Sequence, residues 1–229
     1  MSIETIADLI EAVRRETQSE AFPIDEPVYR RAGRDPIDPI LFGGSLEAPV
    51  AIVGRDLGKD EVAAGQPLIG AGGRLVRLGL LAAHGEPVER SRVKDPLSLQ
   101  GALAYALLTN TVPYKPPGNK AYAESVRRRF RPFLARLLTD FWRGDQIITL
   151  GTEAFQWFEP YGRPDEFSGL GRTDARFDSV FSCQIPTASG SPRHVLVHPL
   201  PHPSPLNRRW YSRFPEMLAN RLADILKGP

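Results

Sequence analysis

The hydrophobic residues near the start of the chain recur at spacings of three and four, which is the repeat of an amphipathic helix. They predict a helix over residues 3–16, with Ser2 as its N-cap, and its buried stripe comprises Ile3, Ile6, Leu9, Ile10 and Val13. Residues 17–47 are rich in Pro, Gly, Arg and Asp without any such period, which predicts a long surface connection. We expect the first helix to pack on the fold, and an arm that contacts a binding partner is the alternative.

Short apolar runs that end at glycine or proline recur through the rest of the chain and are typical of buried strands. These runs lie at residues 49–53, 105–112, 146–150, 180–185 and 194–197. Helical patterns alternate with them at residues 75–83, 121–142, 152–158 and 212–226, the last followed by Gly228 as a stop. The alternation predicts an α/β fold with a parallel sheet covered on both faces.

The chain shows no internal repeat and no clear second domain, so we predict a single domain over residues 1–229. Residues 1–47 would form an N-terminal helix and extension, and residues 48–229 the core. In parallel sheets of this kind the ligand binds outside the carboxyl ends of the strands. The loops after Val53, Leu108 and Val197 are therefore the expected places for chemistry.

The composition is that of an ordinary globular protein, with 41% hydrophobic and 24% charged residues among 229. No stretch approaches the roughly 18 consecutive apolar residues of a membrane span, and the first residues lack the pattern of a secretion signal. The single cysteine, Cys183, excludes an internal disulfide and any zinc site or iron–sulfur cluster built on several thiolates. We expect a cytoplasmic protein with no membrane contact.

The charges nearly balance, at 29 Lys and Arg against 27 Asp and Glu, but the arginines are clustered. One cluster consists of Arg127, Arg128, Arg129, Arg131 and Arg136, and the other of Arg208, Arg209 and Arg213. Basic patches on a nearly neutral protein fit a polyanion such as a nucleic acid. Two solvated helix faces are the alternative interpretation.

A glycine-rich segment follows the first predicted strand and begins Gly-Arg-Asp-Leu-Gly-Lys-Asp-Glu at Gly54. Three residues rather than four separate Gly54 from Gly58, and Asp60 stands where a phosphate loop has Ser or Thr, so a P-loop is excluded. No Gly-x-Gly-x-x-Gly follows this strand, which excludes a dinucleotide fingerprint. The segment is therefore interpreted as a turn that places the Asp56 carboxylate at the carboxyl end of a strand.

Two later segments carry further polar candidates. Asn110 ends a predicted buried strand, and its amide offers both a donor and an acceptor, which suits hydrogen bonding to the edge of a base. It could instead stabilise the next turn by hydrogen bonds to the backbone. His202 lies in a loop that several prolines hold rigid. His194, His198 and His202 recur every four residues, but the prolines exclude the helix that would stack them, so no metal site is predicted.

Taken in order, these segments resemble the uracil-DNA glycosylase superfamily. Residues 54–73 resemble the first motif of its family-four enzymes, Gly-x-x-x-Gly-x-x-Glu followed by Gly-x-Pro-hydrophobic-x-Gly. Residues 109–119 resemble their Asn and Pro-Pro-x-Asn stretch, and residues 148–154 their strand and helix start. His-Pro-Ser-Pro-Leu at residues 202–206 matches the leucine loop of the family-one enzymes. The likeness extends from about residue 50 to residue 207.

The resemblance implies a three-layer α/β/α sandwich around a mostly four-stranded parallel sheet, and hydrolysis of the uracil–deoxyribose bond in DNA. By position, Asp56 would orient a water or stabilise the sugar cation, and His202 would hydrogen-bond the carbonyl of the leaving base. Asn110 would read the base and Leu206 would enter the base stack. The remaining implied contacts are Gly54, Arg55 and Leu68 to substrate, and Lys115, Asn119, Ser204, Arg208 and Arg209 to DNA.

Uracil-containing DNA is thus the implied partner and free uracil the product, with no cofactor and a monomeric protein. The chain departs from its relatives at several positions. Arg55 stands where family four has its acid, so the carboxylate moves to Asp56, and Leu57 replaces a proline. Leu68 replaces the aromatic that stacks on uracil, and Gly58 stands where a family-one tyrosine excludes the thymine methyl. These changes predict a relaxed substrate choice that covers uracil and deaminated purines.

Two other functions stay open. One is a non-catalytic module on the same fold that binds DNA or abasic sites, which Arg55 favours because an arginine suits phosphate better than water activation. The other is a nucleotide- or phosphate-binding α/β domain unrelated to DNA, which would lack the steep salt dependence of a polyanion contact.

Overall fold

A mixed sheet runs through the centre of the protein in the computed structural model, which describes residues 3–86, 96–118 and 120–227. Within those ranges the sheet has six strands: β1 (Phe42–Gly44), β2 (Val50–Gly54), β3 (Ala106–Asn110), β4 (Gln146–Leu150), β5 (Phe181–Ile185) and β6 (Arg193–Leu200). The strand order is β1-β3-β2-β4-β6-β5. The central four are parallel, and β1 and β5 pair antiparallel at the edges.

Helices pack on both faces of this sheet. They are α1 (Ile6–Ser19), α2 (Glu26–Arg31), α3 (Lys59–Ala64), α4 (Ala71–Ala83), α5 (Glu124–Arg136), α6 (Thr152–Gln156), α7 (Pro164–Ser168), α8 (Arg208–Tyr211) and α9 (Phe214–Lys227). Strand β2 shows how the layers form, because the side chains of a strand alternate between faces. Ala51 and Val53 join the core under α1, α5 and α6, while Val50 and Ile52 join the core under α4 and α9. The predicted three-layer α/β/α arrangement is confirmed.

The N-terminal helix packs against the fold, as expected of a structural element. Leu9 and Val13 are fully buried in the core that α5 also covers. The predicted cap, Ser2, lies outside the described residues, and the N-cap is Thr5. Its hydroxyl accepts a hydrogen bond from the backbone N–H of Asp8, whose carboxylate accepts the Thr5 N–H at 2.9 Å in return.

Several predicted boundaries were wrong. Residues 17–47 contain the last turn of α1, the short helix α2 and the edge strand β1, none of which is long enough to show a period. The helix predicted over residues 121–142 ends at Arg136, and a π-helical turn, Leu137–Phe141, follows it. Strand β6 continues to Leu200, because Pro199 has its register partner in the parallel neighbour β4. Gly228 lies outside the described residues.

No helix within residues 3–86, 96–118 and 120–227 combines the length and the apolar character needed to cross a bilayer.

Candidate active site

A pocket of about 440 Å³ opens at the edge of the sheet where the parallel strands end. Its wall comes from the loop after β2, the turn that leads into α4, the last residue of β3, Leu150 of β4, and residues 202–205 beyond β6. The structure thus brings together the segments that follow the three strands singled out in the sequence. Asp56, Asn110 and His202 all line this one pocket.

Asp56 presents a buried carboxylate in the pocket wall. Its side chain is 2% exposed, and its Oδ2 accepts a hydrogen bond from Nε of Arg55 at 2.8 Å. Its Oδ1 has no hydrogen-bond partner among the residues that the structure describes. Burial raises the pKa of Asp56 to about 6, although the Arg55 guanidinium lowers it in part. The carboxyl group is therefore mostly ionised at neutral pH and protonated in mild acid.

Asn110 ends strand β3 directly beside Gly54, its register partner on β2. The side chain is 2% exposed, and its Nδ2 donates to no atom in the described part of the chain. Gly54 makes room for this amide, since a Cβ there would lie 2.3 Å from Oδ1 of Asn110. A buried NH₂ group without an acceptor carries a desolvation cost of about 1–3 kcal/mol. A ligand that accepts its hydrogen bond would recover that cost.

His202 follows β6 and stands exposed at the pocket rim. The loop is held by its own backbone, because the carbonyl of His202 accepts hydrogen bonds from Ser204 N at 2.9 Å and Asn207 Nδ2 at 3.2 Å. Although the residue as a whole is exposed, burial around its imidazole ring lowers the pKa of that ring, and the charge of Arg55 lowers it further. A neutral imidazole at physiological pH can donate a hydrogen bond without carrying a charge.

Leu68 and Glu61 shape the opposite wall. Leu68 has a φ of +53°, a left-handed conformation that a leucine rarely adopts. The Oε1 of Glu61 accepts the backbone N–H groups of Ile69 and Gly70 at 3.3 and 3.1 Å, which fixes the turn that leads into α4. Glu61 was not among the predicted site residues, although it is the last residue of the Gly-x-x-x-Gly-x-x-Glu motif, which could have identified it.

The family model of the uracil DNA glycosylase superfamily matches residues 42–226. The chain belongs to the uracil-DNA glycosylase superfamily. Membership supports glycosylase-type hydrolysis, and it implies DNA as the substrate. A search of curated proteins gave no match. The matched range contains every strand described above and all the segments that line the pocket.

In this glycosylase fold, the leucine loop projects from the pocket rim. Leu206 is 91% exposed, which is unusual for a leucine, and it lies two residues beyond Ser204 in the pocket wall. The Ser204 hydroxyl accepts the backbone N–H of Leu206 at 3.2 Å, so its proton stays available for a further acceptor. Arg208 and Arg209 begin α8 directly after the loop, and Arg209 pairs with Asp174 at 2.7 Å.

Lys115 is a correction to the predicted DNA contacts. It is 4% exposed, and its ammonium donates to the Asp25 carboxylate at 2.8 Å and to the carbonyls of Pro116 and Gly118. A buried ammonium with three acceptors cannot reach a phosphate without breaking the loop it holds. We therefore reassign Lys115 to loop structure. Asn119, the other contact predicted in this stretch, lies outside the described residues.

The arginine cluster on α5 is mostly engaged in ion pairs within the protein. Four of its five arginines pair with an acid of the same chain: Arg127 with Glu124 and Glu153, Arg129 with Glu16, Arg131 with Glu124, and Arg136 with Asp140. Arg128 is exposed. Lys59 is an exposed cation in the pocket wall, and the exposed Arg208 and Arg209 follow the leucine loop.

Metal-binding groups do not assemble around the pocket. Among the described residues, no group of three or more His, Cys, Asp or Glu side chains could hold a metal ion. His194 bonds to Ser182 and His198 to Gln146, away from His202. The one cysteine, Cys183, is buried in the core with a thiol pKa raised by burial to about 12, so the residues do not fit the iron–sulfur cluster of family four.

Proposed function

We propose that this protein is a monofunctional uracil-DNA glycosylase, which hydrolyses the N-glycosidic bond of uracil in DNA and leaves an abasic site. One observation carries the proposal. The buried amide of Asn110, the buried carboxylate of Asp56 and the imidazole of His202 line the same pocket, and both buried groups keep an atom without a partner in the described chain.

Base recognition falls to Asn110. The Watson–Crick edge of uracil presents an N3–H donor beside a carbonyl acceptor, and an asparagine amide offers the complementary pair. Its Oδ1 would accept N3–H, while its unpartnered Nδ2 would donate to O4. Cytosine has the opposite pattern at the same two positions, so a fixed amide discriminates against it.

Cleavage of the glycosidic bond leaves positive charge on the sugar and negative charge on the base, and the pocket offers a group to stabilise each of them. The bond between C1′ and the base breaks with its electron pair moving to the base, which leaves a cationic sugar. The Asp56 carboxylate stabilises that cation and orients the water that adds to C1′. The neutral imidazole of His202 donates to the carbonyl of the departing base, and the proton lost by the water ends on the released uracil.

Extrusion of the base falls to the leucine loop. Taking a base out of the stack costs a few kcal/mol, which contacts with the phosphates and an apolar wedge can offset. The exposed Leu206 would fill the space that the base vacates. Ser204, Arg208 and Arg209 would hold the phosphates on either side.

The substrate range of the pocket should extend beyond uracil to other deaminated bases. Leu68 supplies an aliphatic wall where an aromatic ring would stack, and Gly58 has no side chain that could exclude a methyl group. Hypoxanthine and xanthine present the same N–H and carbonyl pair that Asn110 would read in uracil.

An excision assay tests the proposal. An oligonucleotide with a single uracil, or a single hypoxanthine, is incubated with the protein and then treated with alkali, which breaks the strand at abasic sites. We expect strand breakage with wild type, and at least tenfold slower breakage with Asp56→Asn and with His202→Ala. Intact strands on single-stranded and duplex substrates of the whole panel would refute the proposal.

A non-catalytic module that binds abasic DNA is the second candidate. It is favoured by the Arg55 side chain, which bonds to the Asp56 carboxylate and leaves it only 2% exposed. That module would bind abasic DNA equally well as wild type and as Asp56→Ala, and wild type would never release a base. Measurable excision that depends on Asp56 would exclude it.

A further inference from the structure

Arg77 is a fully buried cation in helix α4, outside the set of residues that line the pocket. In the described chain its guanidinium donates only to the turn before α4. Nε bonds to the carbonyl of Leu68 at 3.0 Å, and Nη2 bonds to the carbonyl of Pro67 at 3.2 Å and to Oε1 of Gln66 at 3.3 Å. Burial lowers the pKa of this guanidinium. A charge buried with so few partners is costly, which points to a specific task.

The turn that Arg77 holds is strained. Leu68 is the one residue other than glycine with a positive φ in the described chain. Gly73 packs directly under it, since a Cβ on Gly73 would lie 2.0 Å from the carbonyl carbon of Leu68. Strain of this kind persists only where the surroundings hold the backbone, and the bond from Arg77 to the Leu68 carbonyl is such a restraint.

The strained residue forms part of the wall that would hold the base. A Cβ placed on Gly54 would lie 3.1 Å from Cδ2 of Leu68 and 2.3 Å from Oδ1 of Asn110, so the two side chains meet over Gly54. A shift of the Leu68 backbone would therefore move the apolar wall beside the Asn110 amide.

We infer that Arg77 is a positioning residue for base excision. It clamps the turn at residues 66–68 in the left-handed conformation that places Leu68 against Asn110 and Gly54. The inference rests on the proposed glycosylase function and deepens it. The planar fork of a guanidinium holds two neighbouring carbonyls in a fixed geometry, whereas a lysine ammonium has no such fixed fork and an apolar side chain has no donor.

The test compares Arg77→Met and Arg77→Lys with a matched control, Arg193→Met. Arg193 is half-buried and also donates to main-chain carbonyls, those of Leu138, Thr139, Trp142 and Gly144, but it does not line the pocket. Single-turnover excision is measured at saturating protein, together with the Kd for abasic DNA and the folded fraction of each variant.

We expect Arg77→Met to excise uracil about 10- to 100-fold more slowly per folded molecule, because the wall is misplaced by a fraction of an ångström or more. Its Kd for abasic DNA should stay within about twofold, since the phosphate contacts lie on the leucine loop. The excision rate of Arg77→Lys should fall between those of wild type and Arg77→Met. If Arg77→Met does not fold, the rate of Arg77→Lys tests the inference in its place. Arg193→Met should lower stability without slowing excision.

Backbone amide exchange separates this inference from the proposed function. Arg77→Met and Arg77→Lys should both speed exchange at residues 68–70, while Arg193→Met should not. An inactive wild type would refute glycosylase activity, and unchanged exchange at residues 68–70 would independently refute the clamp. Excision at the wild-type rate in Arg77→Met, or an equal loss in Arg193→Met, would also overturn the inference.

Discussion

Burial disfavours the charged form of Asp56, so replacing this residue with asparagine should stabilise the protein while stopping catalysis. Burial raises the pKa of this carboxyl group from 3.8 to about 6, with Arg55 opposing part of the rise. Between those values the folded chain holds a proton here that the unfolded chain has lost. The free energy of unfolding therefore falls as the pH rises through this interval, by about 3 kcal/mol once the pH is well above 6.

Asp56→Asn keeps the shape of the side chain and removes the titration, so its advantage over wild type should grow with pH. From pH 5 to pH 8, the unfolding free energy of Asp56→Asn relative to that of wild type should rise by about 1.4 kcal/mol. For a chain of this length the corresponding gain in Tm is about 3–6 °C. Excision by the same variant should fall by about 100-fold or more.

Denaturant unfolding at pH 5, 6, 7 and 8 measures the stability of wild type and Asp56→Asn, and the alkali assay measures their excision. Asp60→Asn is the matched control, because it removes an exposed carboxylate from the first turn of the neighbouring helix α3 and should leave the pH dependence of wild type in place. A stability difference between Asp56→Asn and wild type that stays constant within about 0.3 kcal/mol across this range would refute the buried-carboxylate reasoning.

Three other substitutions test separate parts of the site. Gly54→Ala places a Cβ 2.3 Å from Oδ1 of Asn110, so single-turnover excision should fall by about tenfold or more while circular dichroism stays native. Leu206→Ala should slow excision from a paired duplex by about tenfold and leave single-stranded substrate unaffected; equal losses on both would rule out a wedge. Lys115→Met should lower the unfolding free energy by about 2–3 kcal/mol, because the partly buried Asp25 loses its partner, with little change in excision per folded molecule. A large excision defect in that variant would restore Lys115 as a DNA contact.

Much of the fold could be predicted because each central strand is a short apolar run with a clear stop. The run before Gly54 and the run before Gly151 are buried on both faces, which is the pattern of a parallel sheet. Strand β1 could not be predicted in this way. It is three residues long, contains two glycines and owes its place to pairing with β3.

The convergence of Asp56, Asn110 and His202 on one pocket could also be predicted, since parallel strands end at one edge of the sheet and these polar residues follow the strand ends. The burial and the hydrogen-bond partners of each side chain could not be predicted in this way. The Asp56 carboxylate is buried and bonded to Arg55, and burial of a single side chain cannot be told from the motif alone. The ammonium of Lys115 is held by Asp25, which lies 90 residues earlier, and a pair so distant leaves no local pattern in the sequence.

The most direct test of the account is a crystal structure with duplex DNA that carries one 2′-fluoro-2′-deoxyuridine. Fluorine at C2′ destabilises the sugar cation, so the substrate is bound but not cleaved. We expect the uracil extruded into the pocket, with its N3–H and O4 hydrogen-bonded to the Asn110 amide, a carbonyl bonded to His202, and Leu206 inserted in the duplex. A uracil that stays stacked in the duplex, or that binds away from Asn110, would contradict the proposed function.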